Sequence, residues 1–290
     1  MNQAVVDVLL PLALAFIMFA LGLTLTPGDF ARVGRRPQAM AAGLLGQVLL
    51  LPLLGYAIAT AWGLPPDMAA GLMIVAACPG GASSGLITHL ARGDTALSIS
   101  LTAVTSVAAV ATLPFIVDLS LRHFTGAGVT GELAVGRLVR GVFFLTTVPV
   151  ALGMLLKHTR AELTAHILKG TERVATALFL LIVLATFASQ RAALADNLAA
   201  VGPAAATLNL VAMAAGYGVA ALAGLALRDR IAIVVECSLH NAAVGIFIAA
   251  TVLQAPHMAV PSVVYALLMN VSAILLIVFM RRGRTLCATG

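Results

Sequence analysis

The stretch VVECSLHNAAVG, Val234 to Gly245, sets a glutamate, a serine, a histidine and an asparagine inside an otherwise apolar run. A carboxylate at that depth in hydrocarbon costs several kcal/mol unless it is paired, neutralised or bound to a cation. The other ten acidic residues can all be placed at or near the ends of apolar runs, and Glu236 cannot. A second stretch, ACPGGASSG from Ala77 to Gly85, interrupts another apolar run. Proline followed by two glycines cannot continue a regular helix, so backbone groups are freed there. Around these two places stand oxygen donors: the hydroxyls of Ser84, Ser98 and Thr102 and the amides of Gln47 and Asn241. Hard cations take oxygen ligands, freed carbonyls add to them, and the start of a half-helix offers N–H groups to an anion. Such a constellation suits a cation and an anionic substrate side by side.

Other chemistries have less in their favour. Cys78 and Cys237 each lie next to an interruption, which admits a soft-metal or arsenite site as a minor alternative. The three cysteines lack the spacing of a disulfide framework or a transition-metal site. His89, His123, His158, His166 and His257 fall near the ends of runs. His240, one turn past Glu236 on the same helical face, could be a ligand, a proton carrier or a hydrogen-bond donor. No nucleophile motif or phosphate-cradling loop between a strand and a helix is present, so no enzyme is expected. No cofactor is expected either.

The elements that must carry these residues are membrane helices. Of 290 residues 61% are hydrophobic and 10% charged, and the mean hydropathy is +1.06; soluble domains are about a quarter charged. Apolar runs predict an all-α polytopic membrane protein with about nine spans, at roughly 4–25, 37–62, 66–91, 94–120, 134–157, 169–189, 198–227, 229–254 and 260–280. The first run lacks a basic start and a cleavage site, and is expected to be a retained helix. The net charge of +6 does not point to nucleic acid, because thirteen of the 17 Lys and Arg fall on one set of alternate loops and four on the other. That asymmetry places the first set, with the C-terminus, in the cytoplasm and the N-terminus outside, and it requires an odd number of spans. The expected location is a bacterial inner membrane.

The third and eighth spans carry the interruptions, each being the penultimate span of its half. Paired discontinuous helices point to a transporter built from inverted repeats, here about 1–125 and 126–290 within one domain. One helix is then missing from the first half. Each broken span is followed by a span with internal polar residues, among them Ser98 and Thr102 in the fourth and Asn270 in the ninth.

The segments MFALGLTLTPGDF (Met18 to Phe30), CPGGASSGLITHLARGDTALSISLT (Cys78 to Thr102) and ECSLHNAAVG (Glu236 to Gly245) resemble the bile acid:sodium symporter family, in its nine-helix form. The resemblance implies a core domain (about 37–120 and 198–280), a panel domain (about 4–25 and 134–189), and two discontinuous helices crossing in the core. It further implies sodium-coupled symport of an organic anion by alternating access, the anion being a bile salt, a steroid conjugate or a small carboxylate. A first sodium site would fall on Ser84, Ser98, Thr102 and Glu236. A second would fall on Gln47, Glu236, His240 and carbonyls near Cys237 and Leu239. Asn241, Asn270 and the half-helix start at Gly81 and Ala82 would face the substrate, and no oligomer is required. This chain departs from the family pattern at Gly85, where relatives carry an asparagine, and at His240, where they carry a glutamine. An imidazole offers nitrogen and titrates near neutrality, so proton coupling stands as the alternative.

Overall fold

The computed structural model describes residues 3–126 and 132–287, with side chains at 8–126, 136 and 138–280. The side chains of Asp7, Glu132, Arg137, Arg281, Arg282 and Arg284, used above, lie outside the described residues. Among those described, every regular element is a helix: α1 (Gln3–Thr24), α2 (Pro27–Arg35), α3 (Pro37–Leu44), α4 (Leu51–Ala61), α5 (Pro66–Ala77), α6 (Ser84–Leu90), α7 (Thr95–Thr125), α8 (Glu132–Val142), α9 (Val148–Thr159), α10 (Ala161–Ser189), α11 (Arg191–Leu222), α12 (Leu227–Ser238), α13 (Ala242–Phe247) and α14 (Val260–Cys287). Wider π-helical turns at Leu45–Leu50, Phe143–Thr147 and Ile248–Val252 join α3 to α4, join α8 to α9 and extend α13, so each of these runs is continuous.

Among the described residues six helices are long and apolar enough to cross a membrane: Pro37–Ala61, Thr95–Thr125, Leu138–Thr159, Ala161–Ser189, Arg191–Leu222 and Pro256–Met280. With α1 and the interrupted units α5–α6 and α12–α13 they make nine helical units, in the order expected from hydropathy. At 22 residues α1 is about 33 Å long, and its Val8–Thr24 part makes a seventh candidate span together with α2. The charged α2 follows after a 64° bend.

Several boundaries differ from expectation, among them the start of the seventh unit, at Arg191 and not near 198. The sixth unit begins at Ala161 and not near 169, because the helix carries on past its apolar part into exposed positions such as Glu162 and Arg173. The seventh ends at Leu222 and the eighth starts at Leu227, with Gly224 between them at φ +67°. That turn lies in the apolar run AALAGLALRD, where hydropathy gives no signal and glycine takes the left-handed backbone without steric cost. The helix α2 was not expected at all. Its N-terminus is closed by Asp29, whose carboxylate accepts from the Thr26 backbone N–H and hydroxyl, both at 2.7 Å.

Burial separates the interrupted units from the rest. Every residue from Met68 to Ala77 on α5 and from Ile231 to Ser238 on α12 is buried. By contrast α10 presents Leu180, Leu181, Leu184 and Phe187 outward, as a lipid-facing helix does. The helix α1 packs against α9 and α10. Side chains beyond hydrogen at Gly22 and Gly153 would run into the backbone of Val150 and Phe19 respectively, so α1 and α9 cross at backbone contact.

Loop contacts show which ends share a face. Arg36, between α2 and α3, donates to Asp94 before α7 (2.7 Å) and to Asp229 in the first turn of α12 (2.6 Å). The Asp94 N–H also reaches the Arg228 carbonyl at 2.9 Å, and Arg32 on α2 donates to Ser100 on α7 at 3.0 Å. At the opposite end Tyr56 meets His123 at 3.1 Å and His257 meets Asp67 at 3.0 Å. The helix ends near 36, 94 and 228 therefore share one face, and those near 56, 67, 123 and 257 lie at the other end.

Arg36 staples the ends of both interrupted units. Its hydrogen bond to Asp229, aided by the charges of Asp229 and Asp94, holds the guanidinium above its ordinary value against the opposing effect of burial. A raised basic group keeps its contribution at every pH below its unfolded value, which here covers the whole accessible range. Replacing Arg36 by Gln leaves the Asp229 carboxylate, only 6% exposed, without its cation. The expected loss is roughly 2–3 kcal/mol, seen as a lower melting temperature in detergent; an unchanged melting temperature would contradict the staple.

Candidate functional site

The interruptions meet each other. Helix α5 stops at Ala77 because Pro79 has no N–H, and α12 stops at Ser238, with Leu239 extended. Between them Gly80 and His240 form an antiparallel bridge: the Gly81 N–H donates to the Leu239 carbonyl and the Asn241 N–H to the Pro79 carbonyl, both at 2.9 Å. In a continuous helix the Asn241 N–H would bond to the Cys237 carbonyl. Its use on Pro79 releases that carbonyl from the helical ladder.

Four of the expected cation ligands converge here. Glu236 is wholly buried, and its Oε1 accepts from the Ser98 hydroxyl at 2.5 Å. The Thr102 hydroxyl lies 3.0 and 2.9 Å from its two oxygens, and Ser84 Oγ lies 2.9 Å from Thr102 Oγ1. If Ser84 donates to Thr102, then Thr102 and Ser98 both donate to the carboxylate, and one consistent set of protons points at Glu236. The sequence brings these together because Ser98 and Thr102 stand one turn apart on α7 while Ser84 opens α6. Gly80 permits the approach: a Cβ there would collide with Glu236 Oε2 and come to 3.0 Å from Thr102 Oγ1.

Gln47 reaches the same crossing from the π-helical turn of the second unit. It lines a small pocket with Cys78, Pro79 and Thr105, and its neighbour Gly46 abuts the Cys237 thiol. Both amide atoms are buried without a hydrogen-bond partner, a condition that costs about 1–3 kcal/mol unless something occupies the site. An oxygen donor so placed fits a cation. No group of three or more His, Cys, Asp or Glu suited to a metal ion occurs among the described residues.

The position of His240 differs from expectation. His240 is not one helical turn beyond Glu236 on a shared face, because the helix ends two residues before it. Its ring instead stacks on Tyr265 of α14, with centroids 5.1 Å apart and planes 17° apart; neither ring nitrogen makes a well-formed hydrogen bond, and the Cys237 backbone is the polar group the ring faces. The Leu239 carbonyl is engaged by Gly81 in the crossing. Asn241 caps α13, accepting from the Val244 N–H at 3.3 Å, and its amide nitrogen lies 3.7 Å from Met18 Sδ on α1. Asn270 is exposed on α14 and donates back to the Ala266 carbonyl at 2.6 Å, joining none of the cluster. Gly81 is buried in the crossing while Ala82 is exposed. At Gly85 a Cβ would come to 3.0 Å from Ile99 Cγ1, so Ile99 crowds the place of the amide that the family pattern puts there. The thiols have packing roles: Cys78 donates to the Ile74 carbonyl at 3.2 Å, and Cys237 packs against Gly46 and Gly216.

Two participants were missed. Asn209 on α11 and Tyr265 on α14 both donate to the Ser238 carbonyl, each at 3.0 Å. A lone amide within an apolar span was a usable signal for Asn209; nothing in the sequence marks Tyr265.

The sequence pattern of the Sodium Bile acid symporter family matches residues 11–197. The chain belongs to that family. Within it, a probable sodium/metabolite cotransporter, BASS2, chloroplastic, of Oryza sativa subsp. japonica is 30% identical over 277 residues, 94% of this chain and 64% of that protein. An uncharacterized sodium-dependent transporter, YocS, of Bacillus subtilis is 27% identical over 263 residues, 91% of this chain and 80% of that one. A sodium-dependent organic anion transporter of Rattus norvegicus is 31% identical over 181 residues, 62% and 48% of the two. The chain thus spans just under two thirds of the rice relative's length. All three relatives are named as transporters and none as an enzyme, and the apolar helices make this member of the Sodium Bile acid symporter family an integral membrane protein.

Gly80→Ala tests the crossing. The added methyl has no room between the carboxylate and the backbone, so a loss of about 1–3 kcal/mol is expected, measured as reduced thermal stability. A wild-type melting curve would show that the carboxylate does not lie against Gly80.

Proposed function

We propose that the chain is a secondary active transporter that couples sodium to the uptake of an organic anion. The observation that carries this proposal is the wholly buried Glu236, met by Ser84, Ser98 and Thr102 where the two interrupted helices cross. An all-oxygen set around one carboxylate suits a hard monovalent cation, and the relatives named sodium-dependent or sodium/metabolite cotransporters support the choice of ion. The first sodium site comprises Ser84, Ser98, Thr102 and Glu236. The second draws on Gln47, Glu236 and the Cys237 and Leu239 carbonyls, with His240 beside them. Sodium is cargo and counter-charge together.

Residues 37–120 and 198–280 act as the core, and 4–25 and 134–189 as the panel, moving against each other for alternating access. The Asn241 to Met18 contact lies where the two would meet, and Gly81, Ala82, Asn241 and Asn270 face the anion. The substrate is a bile-salt-like or smaller carboxylate, in keeping with the organic anion transporters among the relatives. The protein sits in a bacterial inner membrane with its N-terminus outside and its C-terminus in the cytoplasm, and a single chain suffices.

Purified protein in vesicles is expected to accumulate labelled organic anions under an inward sodium gradient and not under a matched potassium gradient, with Glu236→Gln folded but inactive. Equal uptake in sodium and potassium without a pH gradient would defeat sodium coupling. Uptake that followed an imposed proton gradient instead would establish the proton-coupled alternative.

A further inference from the structure

The break in the eighth unit presents three successive carbonyls, at Cys237, Ser238 and Leu239, and they have different fates. The Asn241 N–H has left the Cys237 carbonyl, and Gly81 holds the Leu239 carbonyl at 2.9 Å. The Ser238 carbonyl takes two donors, Asn209 Nδ2 and Tyr265 Oη, each at 3.0 Å. Asn209 also donates to Tyr265 Oη at 3.2 Å, closing a triangle. Tyr265 is fully buried and Asn209 is 2% exposed, so no solvent competes for these bonds. The opposite face of the clamp is the ring stack, since the phenol that holds Ser238 also lies 5.1 Å from the His240 imidazole.

A peptide unit is planar, so fixing the direction of one carbonyl fixes the plane that carries it and limits its neighbours. Both carbonyl lone pairs at Ser238 are taken by donors from other helices. That carbonyl is therefore withdrawn from any ion, and the clamp sets how the flanking carbonyls of Cys237 and Leu239 are offered. The stack meanwhile keeps the His240 ring turned toward α14.

We infer that Asn209 and Tyr265 are positioning residues for the cation site, setting its sodium affinity through the Ser238 carbonyl without touching the ion. This rests on the proposal that sodium binds at Glu236. Tyr265→Phe removes the hydroxyl and keeps the ring on His240; Asn209→Ala removes the amide.

Sodium alone is the probe, titrated against potassium chloride at constant ionic strength, with the shift in melting temperature of the purified full chain as readout. Each variant is expected to need about 5-fold more sodium for half of the maximal shift, the scale of one lost neutral hydrogen bond. In vesicles the KM for the anion at saturating sodium should stay at the wild-type value. Folded variants with wild-type sodium half-saturation, or an anion KM that rises in step with the sodium requirement, would overturn the positioning role. So would failure of both variants to fold, which would make the clamp structural. If the wild-type protein itself shows no sodium-specific shift, the proposal of a sodium site falls first, and the two failures are told apart.

Discussion

Backbone polar groups inside hydrocarbon must find partners within the protein, and each unsatisfied one costs several kcal/mol. A helix broken in mid-membrane frees several such groups at once. This chain has two breaks, and each supplies what the other lacks. Gly81 and Asn241 give N–H groups, and Leu239 and Pro79 give carbonyls. Neither break is affordable alone, so the crossing ties together the two halves of the sequence.

The same constraint explains the shape of the site. Two segments passing this closely leave room only for glycine at position 80, and the side chains just off the crossing are brought against one another. Glu236 enters it from α12, Ser98 and Thr102 from α7 and Ser84 from α6. A cluster of oxygen groups around a buried carboxyl is thus a by-product of satisfying the backbone. At the loop ends Arg36 links Asp94 to Asp229, so the units that supply the site are fixed at the crossing and again at one face. The small residues of α1 and α9 build a separate packed group at close backbone contact.

Much of this was legible because the relevant residues break a one-dimensional rule. A glutamate and a Pro-Gly-Gly inside apolar runs are anomalies that need no coordinates to find, and Ser98 and Thr102 follow from helical spacing on the next span. The family pattern supplied Gln47, whose amide the structure leaves buried and unpartnered. What failed depended on where a helix stops. The expected position of His240 assumed four more residues of helix, whereas Leu239 is already extended, so the imidazole turns to Tyr265. The turn at Gly224 hid in apolar sequence for a related reason: hydropathy records burial and not backbone direction. The roles of Asn209 and Tyr265 depend on a carbonyl, and carbonyls have no identity in a sequence.

The central claim is that the crossing holds sodium on Glu236 and the hydroxyls around it. Equilibrium binding of radioactive sodium to the purified chain, with no anion present, tests it most directly. Wild-type protein should bind sodium saturably and resist displacement by potassium, and Ser98→Ala combined with Thr102→Ala should bind far more weakly while remaining folded. Unchanged sodium binding in that folded double variant would contradict the account.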